Sequence, residues 1–304
     1  FNALEGLKGK AAGVNIFSNS GQPGAYSRVL IRGVSTINAS AEPLYVVDGV
    51  VMEDFRLVNP NDIESIEVLK DASSAAIYGA RGANGVIMVT TKRGKTDGEG
   101  ISVTYNGSVS VSSVSRYMET LSASQWQEAF MTGLKNANTY HGTNYSLNMA
   151  DHFTDSRYFN SNGTAKYDTD WQREATRDAV SHNHQLSIQQ GGKNSSVGAF
   201  LNYTDQQGVL LNSYMKRVNA KMTYDAKPTK WLSTAVNLLV NHSWGNNADH
   251  GDGGQNALRT MIEMPAWYSV KNPDGTWADN NTAVFQNVLK FAATPTDEAK
   301  YVKF

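Results

Sequence analysis

Cysteine is absent from all 304 residues, which excludes a disulfide framework, a thiolate metal site and a cysteine nucleophile. An excess of charge of either sign is lacking too. Lys and Arg total 27 against 28 Asp and Glu, so no global field favours nucleic acid or an anionic surface. No apolar run approaches the length of a spanning helix, and mean hydropathy is −0.43, which excludes a helical membrane protein. A membrane β-barrel stays open, because its strands alternate and average to ordinary hydropathy. The metalloprotease H-E-x-x-H, the G-x-S-x-G elbow, Walker A and the dinucleotide fingerprint are all missing. Gly79 to Gly85 is glycine-rich but lacks the Lys-Ser/Thr of a P-loop. Neither an enzyme nor a cofactor is expected. Phe1 is not an initiator Met and no basic-then-apolar leader follows it, so both ends are expected to be cuts in a longer chain.

What is present falls into two grammars. Residues 1–95 read as α+β. Leu4, Leu7 and Ala11 have helical spacing, then Val14–Phe17, Val29–Ile31 and Leu44–Val47 are short β-type runs. Asp48-Gly49 between Val47 and Val50 predicts a hairpin with a type I′ turn. Asn59-Pro60 predicts a capped helical turn, and Asp71 a short helix through Tyr78 that Gly79 stops. Gly85 to Thr91 is apolar enough for a strand buried on both faces.

Residues 96–304 obey a period of two. Ile101, Val103, Tyr105, Val109 and Val111 alternate with Ser, Thr and Asn, and the pattern recurs around Leu186, Leu201, Met222 and Leu238. Strands of about 10 residues cross an outer membrane when tilted. Gly191–Asn194 and Lys227–Lys230 read as tight turns, and Asp205–Arg217 as a longer connection. Ser113–Ser181 reads as a large outer loop with a helix near Ser122–Lys135, and Ala257–Ile262 as a second loop helix. A soluble antiparallel sandwich also alternates by two. Against it, the non-apolar face is uncharged Ser, Asn, Gln and Thr over long stretches. Five such strands close no barrel, so a larger barrel is expected, of which this chain is a piece.

Ser27-Arg28-Val29-Leu30-Ile31-Arg32-Gly33, Glu42-Pro43-Leu44-Tyr45-Val46-Val47-Asp48-Gly49 and Asn59-Pro60-Asn61-Asp62-Ile63-Glu64-Ser65-Ile66-Glu67-Val68-Leu69-Lys70-Asp71 carry a resemblance. With Ala75–Ile87 and Thr91-Lys92-Arg93-Gly94, they resemble the plug of SusC/RagA-like TonB-dependent outer-membrane transporters. The resemblance implies a plug domain at 1–95, followed at 96–304 by the first antiparallel strands and outer loops of a barrel of about 22 strands. It implies import of oligosaccharides or peptides, driven through TonB, ExbB and ExbD, with a SusD-like surface lipoprotein as lid, in the outer membrane of Bacteroidota. Siderophore or cobalamin cargo is the alternative within the class. No TonB box is present in the chain, so no residue is assigned to TonB contact.

For a plug seated in a polar lumen, Arg28, Arg32, Asp48, Asp62, Glu64, Glu67, Lys70, Asp71 and Arg81 are the candidates for polar contacts. Thr36–Glu42 is the expected outward loop, with Asn38, Ser40 and Glu42 as candidate ligand contacts for sugar hydroxyls or peptide backbone. His182 and His184 share a strand face, without the further ligands of a metal site, so none is expected. His141, His152, His242 and His250 read as loop residues. Tyr105, Tyr203, Tyr224, Trp231 and Trp244 fit an interfacial girdle, while Trp126, Tyr140, Trp171, Trp267 and Trp277 could stack on sugars from the loops.

Overall fold

The computed structural model describes residues 14–18, 21–25, 27–31, 42–52, 55, 58–71, 75–95, 100–246, 257–278 and 301–303. The helical spacing at Leu4–Ala11, the polar-contact candidate Arg32, the loop candidates Asn38 and Ser40, and His250 lie outside these residues.

The amino-terminal part holds two small sheets. β1 (Val14–Ser18) and β2 (Ser27–Ile31) pair antiparallel. β3 (Leu44–Val47), β4 (Val50–Met52), β5 (Ile63–Leu69) and β6 (Val86–Thr91) form a second sheet in the order β4-β3-β6-β5. Asp48 and Gly49 have φ of 48° and 84°, the left-handed pair that a type I′ turn demands, and this fixes the β3–β4 register at Val47↔Val50. β6 lies parallel to β3 and antiparallel to β5, so both its edges are bonded. Its burial follows: Val86, Ile87 and Val89 are buried, in clusters on the two faces of the sheet. Asn59 accepts from the Asn61 backbone and caps the 3-10 turn Pro60–Asp62, which Pro60 opens.

The short helix is a 3-10 turn that stops at Gly79, whose φ of 57° and ψ of −143° are non-helical, and a second turn follows it within Ala76–Gly82. Glycine adopts this conformation at little cost.

Five long strands follow: β7 (Gly100–Ser112), β8 (Ala179–Gly191), β9 (Ser195–Gln207), β10 (Tyr214–Thr229) and β11 (Leu232–Asn246). Each pairs antiparallel with the next, and β12 (Tyr301–Lys303) adds to β11. At 13 to 16 residues they exceed the expected length, because polar residues carry the ladder past the apolar ones. Three boundaries move accordingly. The β9–β10 connection is only 208–213, and His242 stands within β11. The second tight turn falls at Lys230-Trp231, with Thr229 paired to Leu232. Lys227-Pro228-Thr229 stays in β10 at a register shift, where a proline that cannot donate to the ladder is tolerated.

The two faces of this wall differ as the alternation requires. On the outward face Val103 is 63% and Leu238 55% exposed, among many apolar neighbours. On the inward face Gln185, Asn202, Asn219 and Thr223 are buried, and the amino-terminal sheets cover them. Among the described residues no helix is long and apolar enough to cross a membrane.

Beyond the strand ends, α1 (Ala123–His141) begins with a Ser122–Gln125 capping box and ends at Gly142 in the left-handed conformation. It runs one and a half turns further than Lys135, as far as that cap. Short helices α2 (Trp171–Glu174) and α3 (Ala257–Glu263) complete this layer. Phe153, Phe159 and Trp267 bury against Phe130 of α1, and Trp171 against Met264. Trp171 and Trp267 are thus packing residues that join the two outer segments. His152 stacks edge-on against Phe130.

Candidate functional site

The site is the seam between the plug sheet and the polar face of the wall. Asp62, at the end of the Pro60 turn, sits under β8, where Gln185 Nε2 donates to Asp62 Oδ1 at 2.6 Å. Asp62 is 3% exposed and Gln185 1%. Lys221 of β10, 3% exposed, reaches the end of β6: its ammonium donates to Thr91 Oγ1 and, at 2.6 Å, to the Lys92 carbonyl. Asp48 of the hairpin turn accepts from the Thr91 backbone at 2.9 Å and from Asn237 Nδ2 of β11 at 2.7 Å. Arg93 pairs with Asp225 of β10 at 2.6 Å, and its carbonyl accepts from Gln189 of β8. Five wall positions on three strands therefore hold this part of the chain, three of them (Gln189, Lys221 and Asp225) where it leaves β6.

Local sequence explains this placement. The type I′ turn and the β6 end bring Asp48 beside Thr91, and the Lys92 backbone donates to the Asp62 carbonyl at 2.7 Å. Three consecutive plug segments are tied into one block before they meet the wall. Gly94 then lets the backbone lie flat on β9: a Cβ there would stand 2.7 Å from the Val197 backbone.

A cleft of about 310 Å³ opens along this seam, lined among others by Asp48, Asn59, Asp62, Lys221, Asn237 and Asn241. Burial pushes the Asp62 carboxyl up to about 6, against the opposing pull of the Lys221 and Lys92 ammoniums. Ionising it where apolar and amide groups replace water is costly, and the Gln185 bond offsets only part of that cost. The interface is tied by polar bonds beside an apolar lining of Val47, Met52, Val58 and Leu239, and polar bonds can be exchanged for water one at a time. Among the described residues no group of three His, Asp or Glu side chains could hold a metal ion.

Of the sequence candidates, the structure brings Asp48 and Asp62 onto the wall. Arg28, Glu64, Glu67, Asp71 and Arg81 are exposed, and Lys70 and Glu42 half-buried. The Glu42 carbonyl accepts from Asn84 Nδ2 at 3.4 Å, so that end of the loop is tied to the plug. Sequence reasoning missed Gln185, Lys221, Asp225 and Asn237 as partners, and Arg93 as a charge. A signal existed: on inward faces made of Ser, Asn, Gln and Thr, Lys221 and Asp225 of β10 are charges of opposite sign on the same face, either side of Thr223.

Comparison with known proteins gives a consistent result. The TonB-dependent Receptor Plug Domain matches residues 2–86. The TonB-dependent receptor SusC of Bacteroides thetaiotaomicron is 36% identical over 97% of this chain, which spans 28% of that protein. The TonB-dependent receptor P3 of Formosa agariphila is 34% identical over 98% of the chain, again 28% of its own length. Among solved structures, the RagAB peptide importer in its closed-closed state superposes with a TM-score of 0.76 at 27% identity, covering 91% of this chain and 33% of the matched one. The chain thus spans less than a third of the length of the curated relatives it matches.

Proposed function

The chain belongs with the SusC/RagA-like TonB-dependent receptors, and on that premise we propose that it is the plug and first wall strands of a transporter importing oligosaccharides or peptides across an outer membrane. Residues 1–95 are taken as the plug and 96–304 as wall and outer loops. The single observation that carries the reading is the seam itself: a plug bonded to the polar face of strands whose other face is apolar. A soluble sandwich would bury mainly apolar side chains between its layers, whereas here the wall side of that layer is mostly Gln, Asn, Thr and Lys, with Phe200 and Leu239 among them.

The work of import falls to TonB with ExbB and ExbD, pulling on the plug from the inner side. A SusD-like lipoprotein then closes the outer side over the loop layer of α1, α2 and α3. The polar seam suits this use, since its bonds re-form with water as the plug moves. Of the sequence candidates, we assign Asp48 and Asp62 to the seam, and Asn38, Ser40 and Glu42 to cargo contact. No step of the reading needs a bond-making residue or a cofactor.

The test is uptake of labelled oligosaccharides and labelled peptides by cells carrying the full-length transporter. Accumulation of one class that stops when the proton gradient is collapsed supports the reading. Accumulation of neither, or uptake indifferent to the gradient, overturns it.

A further inference from the structure

One cluster of ionisable side chains lies on the opposite face of the wall from the seam. Near the outer-loop ends of β8, β9 and β10, His182, Asp205 and Lys216 stand side by side in register, all outward. Lys216 Nζ lies 3.2 Å from Asp205 Oδ2, and His182 Nε2 is 3.8 Å from the same oxygen. His184 bonds His182 at 3.2 Å and the Tyr105 hydroxyl at 2.6 Å. Gln207 donates to Asp205 and accepts from Arg177 at 2.9 Å.

On the transporter reading, on which this inference rests, that face meets lipid. Below the cluster come a rank of His184, Tyr203, Val218 and His242 and then a fully apolar rank of Leu186, Leu201, Ala220 and Val240. Packing alone would be served by more of the same, and an ion pair facing hydrocarbon is costly. Asp205 is shielded, with its side chain 10% exposed and taken up by Lys216, Gln207 and His182. The Lys216 side chain remains 33% exposed, and an ammonium has three donors. Directly across the strand pair stands Trp244, stacked on His242 with ring centres 5.2 Å apart. A cation held in place by a buried acid, beside a flat aromatic surface, matches a phosphate linked to a sugar.

We propose that this outward patch binds the phosphorylated sugar headgroup of an outer-leaflet glycolipid, with Lys216 taking the phosphate and Trp244 the sugar ring. The full-length transporter is placed in phosphatidylethanolamine nanodiscs with lipid A carrying one phosphate, or with the same lipid A after phosphatase treatment. Retained glycolipid is counted by native mass spectrometry. The phosphorylated form is retained and the treated form is not; Lys216→Gln and Trp244→Leu each lower retention about tenfold. Equal retention of both forms by the wild type overturns the proposal, whether or not the variants assemble. So does a second copy of the transporter on this face, seen as a dimer lost in Lys216→Gln with no glycolipid retained. No retention of the phosphorylated form by the wild type, with gradient-driven uptake intact, would sink this inference alone. A chain that never reaches the outer membrane would sink the transporter reading with it.

Discussion

Gln185 and Asp62 are 123 positions apart in sequence and joined by one bond of 2.6 Å, between a wall amide and a plug carboxylate that are both buried. Removing the amide leaves the carboxylate in place without its donor. Gln185→Ala is therefore expected to destabilise the docked plug by about 1–3 kcal/mol, read as a lower thermal midpoint of the full-length transporter. The Arg93–Asp225 pair is the control. Its side chains are about one-third exposed, and Arg93→Ala should cost about 1 kcal/mol or less.

The same carboxylate gives the seam a pH dependence. Between the ordinary value of 3.8 and about 6, the docked plug binds a proton that the released chain does not. Stability of the docked state accordingly falls as pH rises through that window, by up to about 3 kcal/mol for this group. Asp62→Asn should remove that slope and dock more firmly at pH 7. Lys221→Met removes a charge that holds the carboxyl down, so the slope should move to higher pH. Unfolding midpoints from pH 4 to 8 for the three proteins check both statements. An unchanged slope in Asp62→Asn would rule out this group as its source.

Gly94 sets how closely the plug lies on β9. A side chain there meets the Val197 backbone, which cannot rotate away as a flexible side-chain tip could. Gly94→Val should lift the Lys92–Lys95 segment and cost about 1–3 kcal/mol. Hydrogen exchange should quicken at the β6 end and stay unchanged in the outer loop layer.

The outward face carries its own prediction. Leu238→Arg places a charge on the apolar surface and should lower barrel assembly by about 2–4 kcal/mol if that surface meets lipid. Heat-modifiable migration of outer-membrane extracts reads this directly. Asn237→Ser, on the inward face next door, should leave assembly near normal.

Strand parity was legible because a period of two is local: each of Leu186, Leu201, Met222 and Leu238 shows its face through its own neighbours. So were the Asp48-Gly49 turn and the Asn59 cap, both set within a few residues, whereas two serines, Ser122 and Ser124, could have capped α1 and the structure uses Ser122. Strand ends were not, since Gln206, Gln207 and Ser243 continue the ladder with residues that also suit loops. The seam was half legible. Asp48 and Asp62 stood out by motif, but their partners depend on which wall strand the plug meets, a relation across more than a hundred residues. Loop tryptophans could not be sorted into packing and binding either, because Trp171 and Trp267 owe their burial to a segment far along the chain.

The central claim is that the plug releases from this wall during import. These 304 residues hold no cysteine, so a pair placed at Asp48 and Asn237, whose side chains meet at 2.7 Å, can be bridged by a short reducible bis-thiosulfonate reagent once any cysteine elsewhere in the full-length transporter is replaced. Uptake of cargo by cells carrying the full-length Asp48→Cys, Asn237→Cys transporter should cease on bridging and return on reduction. Uptake that continues at full rate through a verified bridge would contradict the account.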